Sequence, residues 1–113
     1  MSRFLDCVTA IVAVRDLTAS RRWYEHILGP ATAEPDALTA EWKIANDAWI
    51  RVTQDKERAG NSIVAIRTSN LTEQVKLYEG RAVLPVEIED LGYTRRAVAV
   101  DPDGNQIQFL EAN

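Results

Sequence analysis

Three arginines, Arg51, Arg67 and Arg95, stand in strand-like stretches with Trp49, Gln106 and Gln108. Guanidinium forks suit carboxylates, phosphates and flat aromatic surfaces. Tryptophan supplies stacking area, and glutamine amides orient a ligand through hydrogen bonds. Other chemistries lack parts. With a single histidine, His26, a zinc site built on several histidines is excluded, and so is a cysteine cage with only Cys7. A Ser-His-Asp triad needs the histidine beside its nucleophile, and His26 falls on the solvent side of a helix, about 200° round from Tyr24. Cys7 sits among apolar residues, which predicts a small buried hydrophobe rather than a thiolate. Glu41, Asp55, Glu87 and Tyr93 are acid–base groups, but no spacing singles out a pair. A phosphate-binding glycine-rich loop is missing.

These residues belong to a chain of 113 residues, enough for one domain spanning 1–113. Apolar residues make up 46% and charged residues 27%, a globular rather than disordered balance. The net charge of -4 argues against nucleic acid and anionic membranes as partners. The opening Met1-Ser2-Arg3-Phe4-Leu5-Asp6 has no long apolar core of a signal peptide, and no run approaches a membrane span. The expected location is cytoplasmic.

The elements that must position the side chains read as follows. Cys7 to Val14 is a β-rich run. Asp16 caps a helix whose stripe is Leu17, Tyr24, Ile27 and Leu28, and Gly29-Pro30 stops it. Residues 31–36 read as a loop. Leu38–Ala45 and Ala48–Thr53 form a hairpin about Asn46-Asp47, and 54–61 connect. Ile63–Thr68 is the next strand. Asn70, with Glu73 at capping-box spacing, opens a second helix with Leu71, Val75 and Tyr78 inward and Gly80 at its end. Three strands follow, Leu84–Ile88, Thr94–Val100 and Gln106–Glu111, with Asp101-Pro102-Asp103-Gly104 as the last turn.

The order repeats. Asp16-Leu17-Thr18 matches Asn70-Leu71-Thr72 at an offset of 54, as do Tyr24-Glu25 and Tyr78-Glu79. The closing strands align at 57, Ile50 on Ile107. The first repeat covers about 1–54 and the second about 61–113.

Val14-Arg15-Asp16-Leu17-Thr18-Ala19-Ser20 through Trp23-Tyr24 to Leu28-Gly29, and the closing Asp101-Pro102-Asp103-Gly104-Asn105-Gln106-Ile107-Gln108-Phe109, resemble the two motifs of the vicinal oxygen chelate superfamily, the glyoxalase/bleomycin-resistance/dioxygenase family. The resemblance implies an α+β fold: two tandem βαβββ modules forming a curved mixed sheet, with helices on the convex face and a ligand groove on the concave one. It also implies a homodimer. Many enzymes of the superfamily hold a divalent metal at four strand positions, which fall here on Thr9, Arg51, Ile63 and Gln108. Ile63 cannot ligate, Thr9 is a poor neutral ligand, and Arg51 is a cation without an acceptor. The expectation is a member without the metal tetrad and without a cofactor.

Alternation extends each position into a face. Cys7 and Ile11 go with Thr9; Trp49 and Thr53 go with Arg51. Ala65 and Arg67 go with Ile63; Gln106 and Leu110 go with Gln108. Arg95 and Ala97 are assigned to the same groove, with Val98 and Val100 toward the helices. Trp42 is a further member. The expected ligand site is thus Thr9, Trp49, Arg51, Ile63, Arg67, Arg95, Gln106 and Gln108, binding a small planar or acidic organic molecule. Two other readings stand beside this binding protein. One is a metal-independent isomerase, cyclase or lyase acting on a small carbonyl or aromatic substrate. The other is a subunit that serves through its dimer interface, the arginines pairing there.

Overall fold

A computed structural model of the chain describes residues 4–78 and 87–112. The elements, in chain order, are β1 (Val8–Val14), α1 (Leu17–Leu28), β2 (Ala33–Asp36), β3 (Thr39–Ala45), β4 (Ala48–Gln54), β5 (Ile63–Arg67), α2 (Leu71–Lys76), β6 (Ile88–Asp90), β7 (Thr94–Val100) and β8 (Gln106–Ala112). Gly80 as a helix stop, the match of Glu25 with Glu79, and residues 84–86 of the expected strand lie outside the described residues. Among the described residues, no helix is long and apolar enough to cross a membrane.

The eight strands form two four-stranded mixed sheets, β1-β4-β3-β2 and β5-β8-β7-β6. Each is a βαβββ module with the first strand parallel to the last and the others antiparallel. Register makes the repeat concrete. Thr9 lies opposite Trp49, and Ile63, 54 residues on, lies opposite Gln106, 57 residues on from Trp49. Trp42 lies opposite Ile50, and Ala99 opposite Ile107, both at 57. Strand pairing therefore obeys the same two offsets as the motifs.

The helices start where the caps predict. Asp16 accepts from the Ala19 amide at 3.3 Å, and Asn70 from the Glu73 amide at 3.1 Å. The Asn70 amide donates to Thr68 Oγ1 rather than to Glu73, so the second half of the capping box is met from outside the helix. Each module adds a second cap from its last strand. Gln54 Oε1 accepts from the Leu17 amide at 3.1 Å, and Glu111 Oε1 from the Leu71 amide at 2.6 Å. These positions are again 57 apart. α1 ends at Gly29, whose φ of +86° is open to glycine and costly for residues with a Cβ.

One hydrophobic core serves both modules. Val12, Val14, Leu17, Tyr24, Ile27, Trp42, Ile50 and Val52 of the first are buried together with Leu71, Tyr78, Ala97, Ile107 and Phe109 of the second.

Four sequence expectations change. Residues 33–36 are an edge strand, not loop; Pro35 fits there because an edge position need not donate a ladder hydrogen bond. β1 begins at Val8, and Cys7 before it is exposed rather than buried, since no partner strand extends past the Val8–Ala48 pair. Trp42 is core, 1% exposed, with Nε1 donating to the Gly29 carbonyl at 2.8 Å. β7 has the opposite phase, Ala97 and Ala99 being inward. Directly opposed residues share a face, so Phe109 and Ile107 in the core bring Ala97 and Ala99 with them.

Candidate functional site: the open sheet faces

Alternation puts the odd residues of β1 and β4 on the face away from the helices. Thr9 and Ile11 of β1, and Trp49, Arg51 and Thr53 of β4, share it in module one, in register as Thr9–Trp49 and Ile11–Arg51. In module two the open face carries Ile63, Ala65 and Arg67 of β5 beside Gln106, Gln108 and Leu110 of β8. Gln108 Nε2 donates to Gln106 Oε1 at 3.3 Å, so the two amides form a short polar row. Ile11 and Ile63 are 56% and 64% exposed, which leaves apolar surface on both faces.

Arg95 does not belong to this set. The phase of β7 turns it to the helix side, where it bonds Glu111 Oε2 at 2.6 Å beside the start of α2. The Leu71 amide, and then Arg95, hold the Glu111 carboxyl below its ordinary value of 4.5. The arginine of β7 on the open face is Arg96, bonded to Glu89 at 3.2 Å across the β6–β7 pair. Its position follows from the Arg96–Leu110 register.

Arg51 is an ion-paired cation of the open face. Its Nε donates to Glu41 Oε2 at 2.7 Å, directly across the β3–β4 ladder. The bond fixes the plane of the guanidinium, and among the described residues its terminal amino groups have no protein partner. Thr39 and Thr53, the next opposed pair, share a hydrogen bond of 3.2 Å between hydroxyls. Arg51, Thr39 and Thr53, with Ile11, Pro35, Asp36 and Arg58, surround a cleft of about 430 Å³. Sequence reasoning missed Thr39 and Arg58. Thr39 was within reach, because strand alternation from Glu41 puts it on the same face. Arg58 lies in a connector with no periodicity to follow.

The other acid–base groups are dispersed. Asp55 is bonded to Arg58 within the connector. Glu87 is exposed, and Tyr93 is an exposed turn residue. His26 is half-buried on α1 rather than facing solvent outright.

The four positions implied for a metal are Thr9, Arg51, Ile63 and Gln108. They do not form a fitting donor set: an aliphatic side chain and an ion-paired guanidinium occupy two of them. Among the described residues, no three His, Cys, Asp or Glu side chains gather as a metal-binding group.

Much of the closing motif builds a joint. Asp101 and Asp103 form the turn as expected, but they also reach across the modules. Asp101 Oδ2 accepts from Tyr24 Oη at 2.7 Å and from Asn105 Nδ2 at 2.9 Å, while Oδ1 accepts from the Asp103 and Asn105 amides. Asn105 Nδ2 also donates to the Ala13 carbonyl at 2.8 Å. Asp103 Oδ2 accepts from the Arg15 amide at 3.1 Å. Burial, and then the Asp101 carboxylate, push the Tyr24 phenol well above its ordinary value of 10.0. Gly60 packs on this turn. A Cβ there would stand 2.7 Å from the Asp103 carbonyl, and φ is +96°. The opening and closing motifs thus touch each other.

No protein-family model matches the chain, and no curated protein sequence matches it. Solved structures do. A glyoxalase/bleomycin resistance protein from Catenulispora acidiphila is 27% identical with a TM-score of 0.88, covering 95% of this chain and 98% of its own. A bleomycin resistance determinant encoded on transposon Tn5 is 18% identical with a TM-score of 0.78, covering 96% and 98%. A bleomycin-binding protein complexed with bleomycin is 17% identical with a TM-score of 0.75, covering 96% and 99%. The chain has the glyoxalase/bleomycin-resistance fold, and its opening and closing motifs resemble those of the vicinal oxygen chelate superfamily.

Proposed function

We propose that the protein binds a small planar or acidic organic molecule without a metal, at the open faces of its sheets. The observation that carries this is the Arg51–Glu41 pair at the wall of the 430 Å³ cleft. A guanidinium whose plane is already set loses little freedom when its outer edge meets a carboxylate or a ring carbonyl. Glu41 also offsets the charge, which favours a delocalised, weakly acidic ligand over a bare polyanion. Thr39 and Thr53 offer hydroxyls and Ile11 an apolar wall. Thr9 and Trp49 extend the face. Ile63, Arg67, Gln106 and Gln108 of module two form the second part of the site. Two of the compared structures, a bleomycin resistance determinant and a bleomycin-binding protein, support the binding of an organic molecule in this fold. The enzymatic alternative needs a base at the open face. Tyr24, whose ionisation is suppressed, is walled into the joint and does not serve.

The test is a thermal-shift screen of aromatic carboxylates and hydroxylated polycyclic aromatics, followed by calorimetry. Arg51→Ala is expected to raise Kd more than tenfold, a loss of at least about 1.4 kcal/mol, with the fold intact. A substitution at His26 is expected to leave Kd unchanged. Indifference of every acidic ligand to Arg51→Ala would sink the reading. Elemental analysis of the purified protein is expected to find no stoichiometric zinc, iron, nickel or manganese.

We also propose a homodimer. Exposed Ile11, Ile63 and Val100 lie on the open faces, and apolar surface of that kind marks an interface or a ligand site. Light scattering at micromolar concentration is expected to give twice the chain mass; a monomer would refute it.

A further inference from the structure

A second cavity system lies between the modules, apart from the Arg51 cleft. Along β5, one cleft of about 330 Å³ is bounded by Val8 and Ala10 of β1, Ile44, Ala48 and Ile50 of the β3–β4 hairpin, and Val64 of β5. Ile44, Ile66 and Arg67 form its border with a neighbouring cleft of about 260 Å³. The second cleft is different in character: Lys43, Thr68 and Gln74 join Arg67 around it, with Ile27, Leu28 and Phe109 at its base. An apolar chamber therefore opens into a cationic one.

The charge at that junction is unbalanced. Arg51, Arg95 and Arg96 each have a carboxylate partner. Lys43 and Arg67 have none among the described residues, although they line the same cleft from opposite modules. Two cations beside an apolar chamber complement an anion with an apolar body. The apolar part gains by leaving water, at about 25 cal/mol per Å² buried, and the carboxylate meets two donors. A hydrophilic anion would leave the Val8–Val64 chamber wet, and a neutral hydrocarbon would leave the cations unused.

We propose that this inter-module crevice binds an amphipathic carboxylate, with its chain or ring body against Val8, Ile44, Ile50 and Val64 and its carboxylate between Lys43 and Arg67. The site goes beyond the open-face reading: its apolar part sits against helix-side residues of β1, β3 and β5, while Trp49, Ala65 and Arg67 of the open faces, and Lys43 opposite Trp49, form its rim.

Decanoate is the probe, titrated by calorimetry into the full-length protein, with decanol and butyrate alongside. Decanoate is expected to bind at least tenfold more tightly than either. Lys43→Gln with Arg67→Gln should reduce its affinity at least tenfold, to the level of decanol; both side chains are exposed, so the fold survives. Val64→Phe, which fills the apolar chamber, should weaken decanoate and decanol together, with circular dichroism confirming the fold. Arg51→Gln should leave decanoate affinity within twofold, which separates this site from the open-face cleft. Failure of decanoate to bind at 1 mM overturns the proposal, as does affinity indifferent to the Lys43/Arg67 double change or lost in Arg51→Gln. Light scattering that shows a dimer dissociated by Val64→Phe, with no decanoate bound, would assign the crevice to a second copy instead.

Discussion

Tyr24 donates to Asp101 at the seam between the modules, and that carboxylate accepts four hydrogen bonds in all. The phenol is fully buried and its bond goes to a charged acceptor. Tyr24→Phe removes the donor and is expected to cost about 1.5–3 kcal/mol of stability, read as a lower urea midpoint at pH 7. The same pair predicts a pH effect. The folded protein keeps Tyr24 protonated at pH values where the unfolded chain ionises it, near and above 10.0. The unfolded state then holds fewer protons, so stability is complete below pH 10 and falls above it by about 1.4 kcal/mol per pH unit from this group. Tyr24→Phe is expected to flatten that alkaline slope. An unchanged slope would mean that Tyr24 ionises as freely in the fold as outside it. The sequence made Tyr24 legible as a core residue and Asp101 as a turn-former, because each has a local signature. Their meeting was not legible, since 77 residues separate them.

α2 has six residues, too few to persist on propensity alone. It is held by the buried Leu71, by Asn70, and by Glu111 on the Leu71 amide. Its counterpart α1 is held at the same place by Gln54, a neutral acceptor. Glu111→Gln therefore copies module one into module two: it keeps an acceptor for Leu71 and gives up the charge that meets Arg95. The depressed carboxyl contributes stability above its unfolded value near 4.5 and loses it as pH falls through the lower folded value. Urea unfolding at pH 7 and pH 3 is expected to show wild type more stable than Glu111→Gln at the higher pH, with a smaller gap at the lower. A gap equal at both would assign the effect to shape rather than charge. β7 shows where pattern reading stops at the scale of an element. Ala-Val-Ala-Val alternates between two apolar types, so hydropathy cannot select a face. The pairing with Phe109 and Ile107 selects it.

All three tryptophans, Trp23, Trp42 and Trp49, lie in module one, so their fluorescence reports on that module. The core crosses the boundary, and so do the bonds from Tyr24 to Asp101, Asn105 to Ala13 and Tyr78 to the Ile27 carbonyl. Shared burial of this kind predicts one cooperative transition. Ile107→Ala, a cavity in module two, is expected to cost about 2–5 kcal/mol and to shift the tryptophan midpoint and the far-ultraviolet circular dichroism midpoint together. Separate midpoints would show that the modules unfold independently.

The sequence by itself determined the βαβββ repeat, the capped helices, the joint-forming turn as a turn, and the alternation that sets Thr9, Trp49, Arg51, Ile63, Gln106 and Gln108 away from the core. Each of these is local, carried by a cap, a period of two, or a motif within a few residues. Tertiary structure decided what lies beside what. It gave Arg51 to Glu41, sent Arg95 to Glu111 and α2, sank Trp42 into the core, and set Lys43 opposite Arg67 across two modules. Those contacts depend on strand register and module packing, and neither is written in any short stretch of the chain.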